Sequence, residues 1–131
     1  MSAADAVLAG RREAEALMVD TCRITSAGDV VTDPDTGAVT RERTTVYEGK
    51  CKVQSKDSAT STPEAGGASF TVVSRQVHIP ANAAEIRDGY EVEITGSLLN
   101  SFTVGKVYRV SGFTPDTFDT AFRLPVKEIT A

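Results

Sequence analysis

The sequence predicts a mainly β protein: a small antiparallel β-barrel or sandwich with one N-terminal α-helix. Three observations carry this. About six to eight short stretches alternate apolar and polar residues with the period of two that a half-buried strand requires. Clusters of Gly, Pro, Asp and Ser separate them at intervals of roughly 8–12 residues, the spacing of strands joined by turns. Helical periodicity is confined to the start of the chain. At 131 residues, 40% hydrophobic and 24% charged, the sequence fits one domain with a modest core. The expected organisation is an N-terminal helix over 1–18 and a single β-barrel domain over 19–131, with a long loop at 57–67.

The helix is expected from Ala3 to Met18. Ser2, followed three residues later by Asp5, forms a capping box. Val7, Leu8, Ala14, Leu17 and Met18 fall near one face, but Arg11 interrupts the stripe and Gly10 sits in the middle. Arg11 and Glu15 are spaced to pair at i,i+4. So weak an apolar face gains little from packing on its own domain. Three readings stay open: a helix along its own barrel, a helix against a neighbouring subunit, or a frayed terminus.

The first strand is expected over Val19–Ser26, with Cys22 and Ile24 facing inward. Ala27-Gly28-Asp29 turns the chain, and Val30–Thr32 leads into Asp33-Pro34-Asp35-Thr36-Gly37, a strong turn signal. A strand over Val39–Tyr47 follows, rich in β-branched residues, and Glu48-Gly49 is expected to break it. Lys50–Lys56 then alternates with Cys51 and Val53 inward. Asp57–Gly67 (DSATSTPEAGG) is small, polar and too poor in apolar residues to fix itself. It reads as a hairpin tip or linker, or as a loop that orders on assembly.

Ser69–Ile79 reads as a long strand. Phe70 and Val72 share one face while Val73, Val77 and Ile79 share the other, a parity change that suggests a bulge or a strand serving two surfaces. After Ile79-Pro80 and the turn Arg87-Asp88-Gly89, the residues Tyr90, Val92 and Ile94 alternate with Glu91, Glu93 and Thr95. Phe102 and Val104 are expected to continue the β pattern into a hairpin at Gly105-Lys106, which feeds Val107–Val110. Thr114–Thr120 is an acidic turn region containing Phe118. The last strand places Phe122, Leu124 and Val126 inward, and Pro125, which cannot donate to a ladder, suggests an edge or a bulge.

The charge of -4 argues against a protein that grips nucleic acid by neutralising phosphates. No apolar run approaches the ~18 residues of a membrane helix. The N-terminus does not read as a secretory signal, since the pair Arg11-Arg12 follows the apolar part instead of leading it. The chain is accordingly expected to fold in a cytoplasm. Cys22 and Cys51 read as two buried free thiols, and with one histidine they do not make a zinc site.

The motifs that could carry chemistry read as structure. Asp33–Gly37 looks like the start of a calcium loop, but Ala38 and Thr44 stand where that loop needs its glycine and its closing glutamate. His78 lacks a nucleophile motif such as G-x-S-x-G and reads as a structural or surface histidine. Glu91 and Glu93 share a strand face, which paired acids for glycoside chemistry could use, but an exposed polar face explains them as well. No catalytic, cofactor-binding or metal residue is assigned.

Two stretches carry a family resemblance. The first is Val46-Tyr47-Glu48-Gly49-Lys50-Cys51-Lys52-Val53, an aromatic and a glycine followed by an alternating strand. The second combines Ile79-Pro80, Ile86-Arg87-Asp88-Gly89-Tyr90-Glu91-Val92 and Gly105-Lys106-Val107-Tyr108-Arg109-Val110-Ser111-Gly112-Phe113, with Gly89 where an aspartate is frequent. With the N-terminal helix, this pattern resembles the head-to-tail connector proteins of tailed bacteriophages, most closely the head-closure or stopper group of actinobacterial phages. The resemblance implies a structural virion protein of the phage neck, assembled in the host cytoplasm. It would form a homo-oligomeric ring, hexamer or dodecamer, between portal and adaptor proteins on one side and tail terminator or tail tube proteins on the other. Double-stranded DNA would pass through the lumen without sequence-specific binding; the acidity of the chain would then either line the lumen with carboxylates that repel the DNA backbone or simply aid solubility. The loop residues Asp57, Ser58, Thr60, Thr62, Pro63 and Glu64 would reach into the lumen, and Val7, Leu8, Arg11, Arg12 and Glu15 of the helix would meet a neighbouring subunit. A tail terminator or adaptor, or a monomeric β-barrel binding module, are the alternatives.

Overall fold

The computed structural model of the chain describes residues 2–57 and 73–129. Helix α1 covers Ala3–Ala16, and the strands are β1 (Asp20–Thr25), β2 (Val30–Thr32), β3 (Val39–Arg41), β4 (Thr45–Asp57), β5 (Val73–Pro80), β6 (Glu91–Ser97), β7 (Val107–Val110) and β8 (Ala121–Ile129). Six of them close a barrel in the order β1-β4-β5-β8-β7-β6, every neighbouring pair antiparallel, while β2 and β3 form a separate hairpin. Closure pairs each of these six strands on both sides, which removes the open sheet edge that another chain could extend. Between barrel and sandwich, the fold is the barrel.

The alternation read from the sequence builds the core. Cys22, Ile24, Cys51, Val77, Ile79, Val92, Ile94, Tyr108, Val110, Phe122, Leu124 and Val126 all point inward and are buried. The strands β5 and β6 are not neighbours, so the segment between them must cross one end of the barrel. It places buried Ile86, with Ala81 and Ala84, against the core, beside Phe113 and Phe122, whose rings lie 5.0 Å apart. This is the capped end. At the opposite end, β4 and β8 finish, β5 begins and the β6–β7 loop crosses, so the side chains that continue the inward-facing rows form a polar mouth.

Several expectations are corrected. The strand expected over Val39–Tyr47 is two strands, because the chain leaves the hairpin ladder at Glu42–Thr44 and joins the barrel, where Ser26 N–H donates to the Thr44 carbonyl at 2.8 Å. No turn residue marks that change of partner. Glu48-Gly49 does not break β4, which runs unbroken from Thr45 to Asp57, with Gly49 paired to Cys22 and Glu48 to Arg23. The described part of β5 holds a constant register against both neighbours, so the bulge suggested there is absent from Val73–Pro80; Phe70 and Val72 lie outside the described residues. Register shifts occur instead in β1, at Ile24/Thr25 against β4 and at Thr21/Cys22 against β6. Such shifts add local twist, which helps close a barrel.

β8 is not an edge strand and has no bulge at Pro125, but its ladder with β7 stops at Val126, so Pro125 has a ladder partner on the β5 side alone. Ser111 N–H donates to the Pro125 carbonyl at 2.9 Å, so that side of Pro125 faces the end of β7. In a strand the N–H and C=O of one residue point the same way, so the missing donor also faces the point where β7 has ended and not β5. Phe102 and Val104 are not in a strand. Asn100 Oδ1 accepts from Phe102 N–H at 3.1 Å and winds Ser101–Thr103 into a 3₁₀ turn, leaving Phe102 89% exposed. The turn at Gly105 is present, with φ of 89° and its N–H on the Ile94 carbonyl at 2.8 Å, but the hairpin it belongs to joins β6 to β7 through residues 98–106.

Candidate functional site

Helix α1 lies on the outside of its own barrel, against β5 and β8. Its capping box is formed, with Asp5 N–H on Ser2 Oγ at 3.1 Å and Ser2 N–H on Asp5 Oδ2 at 3.2 Å. Val7, Gly10, Arg11, Ala14 and Glu15 make the half-buried face, the i, i+3, i+4, i+7, i+8 stripe of an amphipathic helix. Gly10 permits the close approach: a Cβ there would stand 2.7 Å from the Thr120 methyl. Arg11 and Glu15 reach across to the barrel instead of pairing with each other. Arg11 Nε donates to the Asp119 carbonyl at 3.1 Å, and Glu15 meets Lys50 Nζ at 2.9 Å. Leu8 and Arg12 point to solvent. The candidate helix residues thus divide: three serve the barrel and two are available to a neighbour.

His78 is outward-facing on β5 yet buried, between Lys52 on β4 and Arg123 on β8. Its Nε2 lies 3.2 Å from Gln76 Oε1. Burial, with the two flanking cations, pulls its pKa down to about 4, so the ring is neutral near pH 7. Cys22 and Cys51 sit diagonally across the β1–β4 pair, both buried and both free thiols. The hydrogen bond with Cys22, then burial, pushes the Cys51 thiol far up, which makes it a poor nucleophile. Glu91 and Glu93 are each held by an arginine on the outer face, Glu91 by Arg43 and Glu93 by Arg23 at 2.8 Å. In the Asp33–Gly37 turn, Asp33 Oδ1 accepts from Asp35 N–H at 2.8 Å, the bond of an Asx turn. Among the described residues no cluster of His, Cys, Asp or Glu could hold a metal ion, and no helix is long and apolar enough to cross a membrane.

Of the loop candidates, Asp57 ends β4 at the mouth, while Ser58, Thr60, Thr62, Pro63 and Glu64 lie outside the described residues.

The structure adds two features at the mouth that the sequence reading did not find. The β6–β7 loop there holds Leu98 and Leu99 at 76% and 79% exposed, beside the exposed Phe102. Leu98 N–H on the Val19 carbonyl at 3.3 Å ties this loop to the segment of exposed Leu17 and Val19, so both segments bring exposed apolar side chains to the rim. Two adjacent leucines cannot both face inward from a strand of period two, and that was the available signal. The second feature is a cavity of about 320 Å³ inside the rim, lined by Val53, Ser55, Arg75, Asn100, Phe102, Thr103, Lys106, Tyr108 and Glu128. Lys106 Nζ meets Glu128 Oε1 at 2.8 Å; that bond raises the ammonium pKa and lowers the carboxyl. Among the described residues, the Arg75 guanidinium reaches Ser55 Oγ alone, at 3.5 Å. The cations Arg75 and Lys106 and the carboxylate Glu128 thus share the wall of this cavity.

No curated protein and no solved structure matches the chain. The profile of one family matches residues 10–127, from the middle of α1 into β8. The chain therefore belongs to a family of unknown function (DUF6093).

Proposed function

We propose that the protein is a structural subunit of a phage neck, a head-to-tail stopper that closes the DNA-filled head and gives the tail its docking surface. The observation that carries this reading is the apolar rim at the barrel mouth. Leu98, Leu99 and Phe102 of one loop are all largely solvated in the isolated chain, and large apolar side chains exposed together favour a partner that covers them. The rigid closed barrel beneath it suits a part that works by fit. Helix α1 adds a second contact surface through Leu8 and Arg12.

In the neck, copies would form a ring between portal or adaptor proteins and tail terminator or tail tube proteins, with DNA passing through without sequence-specific contacts. The acidic balance of the chain supports passage over retention. Particles made without this protein test the proposal. DNA-filled heads beside unattached, otherwise normal tails are expected; normal infectious particles overturn it.

A further inference from the structure

The two ends of the barrel are chemically complementary. At the capped end, the β7–β8 loop presents an acidic aromatic turn. Phe118 is 66% exposed there. Asp119 is spent within the turn, its Oδ2 accepting from Asp116 N–H at 2.8 Å and its carbonyl accepting from Arg11. The Asp116 carboxylate points to solvent beside Phe118, with no side-chain partner among the described residues. At the mouth, the cavity offers the reverse: the Arg75 guanidinium at its wall, with Phe102 and Val53 as apolar surface. Its volume of about 320 Å³ is at the low end for ligand pockets, roughly 300–1,000 Å³, which suits one or two side chains better than a cofactor.

We propose that two copies of this chain associate head to tail, the Asp116–Phe118 turn of one entering the barrel mouth of the next, with Asp116 on Arg75 and Phe118 against Phe102. The proposal rests on the neck reading and deepens it by naming the contact between copies. Three features converge on a second copy as the occupant. The charges are opposite, and a bidentate carboxylate–guanidinium pair in a partly dry mouth is the strong form of such a contact. Each end holds an exposed aromatic ring, and aromatic residues and arginine are the anchors of protein interfaces. The complementary surfaces lie at opposite ends, so the contact is heterologous: it leaves a free mouth and a free turn and adds further copies, closing a ring where the rotation permits.

Sedimentation equilibrium on the purified protein, up to near-millimolar concentration, tests this. Wild type is expected to self-associate more weakly as salt rises. Arg75→Glu and Asp116→Arg, each checked by circular dichroism to be folded, should weaken association about tenfold or more, since each sets like charges together. The double variant should restore it to near the wild-type level, which loss of folding cannot imitate. Phe118→Ser should weaken it without changing the salt dependence. A wild type that stays monomeric overturns the contact, as does association that ignores both charge reversals, or a mouth that captures an acidic peptide of another protein while copies remain apart. Failure here with a neck defect in particles lacking the protein would leave the neck reading standing and remove only this contact.

Discussion

Tyr47 donates its phenol hydroxyl to the Lys50 carbonyl at 2.6 Å, folding its ring over Gly49 in the middle of β4. A Cβ on Gly49 would lie 2.9 Å from that hydroxyl oxygen and 3.2 Å from the ring carbon bearing it. Gly49→Ala should therefore displace the ring and cost about 1–2 kcal/mol in urea unfolding, and Tyr47→Phe about 1 kcal/mol. Burial, with the two thiols and Glu15 nearby, pushes the Tyr47 phenol up to about 12. Burial raises the Tyr108 phenol as well, so absorbance titration should show a late component above the usual value near 10 that shrinks, without vanishing, in Tyr47→Phe.

His78 gives the fold a pH dependence with a definite sign. Its pKa falls from an ordinary 6.5 to about 4 on folding, so the unfolded chain binds the extra proton between those values. The neutral ring's contribution is fully present above about pH 6.5 and is lost as pH falls through 4. The whole shift corresponds to about 3 kcal/mol. Solvent screening of the flanking Lys52 and Arg123 charges reduces the expected loss to about 1–2 kcal/mol. Stability curves for wild type and His78→Gln should diverge over that window and run parallel above it; parallel curves throughout would show that the ring is not held neutral.

The two thiols should be inert in the native protein. Cys22 and Cys51 are free thiols, fully buried in the core and hydrogen-bonded to each other. A disulfide-exchange reagent should label neither until urea unfolds the chain, at a rate set by global unfolding. Immediate labelling would show that β1 and β4 separate locally.

Val92 and Val110 lie on β6 and β7 with essentially no exposure. Aspartate at either position would place an unpaired carboxylate among Ile94, Tyr108 and Leu124, a cost of several kcal/mol. Since small domains hold about 5–15 kcal/mol in total, insoluble or unfolded protein is expected. Arg109→Ala, on the exposed face of the same strand as Val110, should change stability by about 0.5 kcal/mol or less.

The barrel was legible because burial and sequence period coincide. Cys22/Ile24 and Val92/Ile94 alternate with polar neighbours, Phe122/Leu124/Val126 alternate with Arg123 and Pro125, and each pair or triplet is inside. What was not legible depends on neighbours distant in sequence. Nothing local shows that Thr44 changes sheets, that β7 has already ended where Pro125 lacks its donor, or that Tyr47 needs the space at Gly49. The mouth was hidden for the same reason. Arg75, Lys106 and Glu128 come from separate parts of the chain, and only barrel closure makes them neighbours. Reading Phe102 and Val104 as strand residues missed the 3₁₀ turn that leaves the Phe102 ring 89% exposed.

That ring provides the sharpest separation of stability from assembly. Phe102, Leu98 and Leu99 contribute little to the folded monomer, because they remain almost as solvated as in an unfolded chain. Phe102→Ser and Leu99→Ser should therefore change stability by about 0.5 kcal/mol or less. Under the neck proposal the same substitutions expose the partner's apolar surface to water, and hot-spot aromatic truncations typically cost about 2 kcal/mol or more of binding. Complemented particles carrying Phe102→Ser should then yield fewer joined head–tail particles while the variant protein remains folded and soluble. If the yield is normal, the rim is not a docking surface; if the variant unfolds, the ring packs more deeply than its exposure indicates.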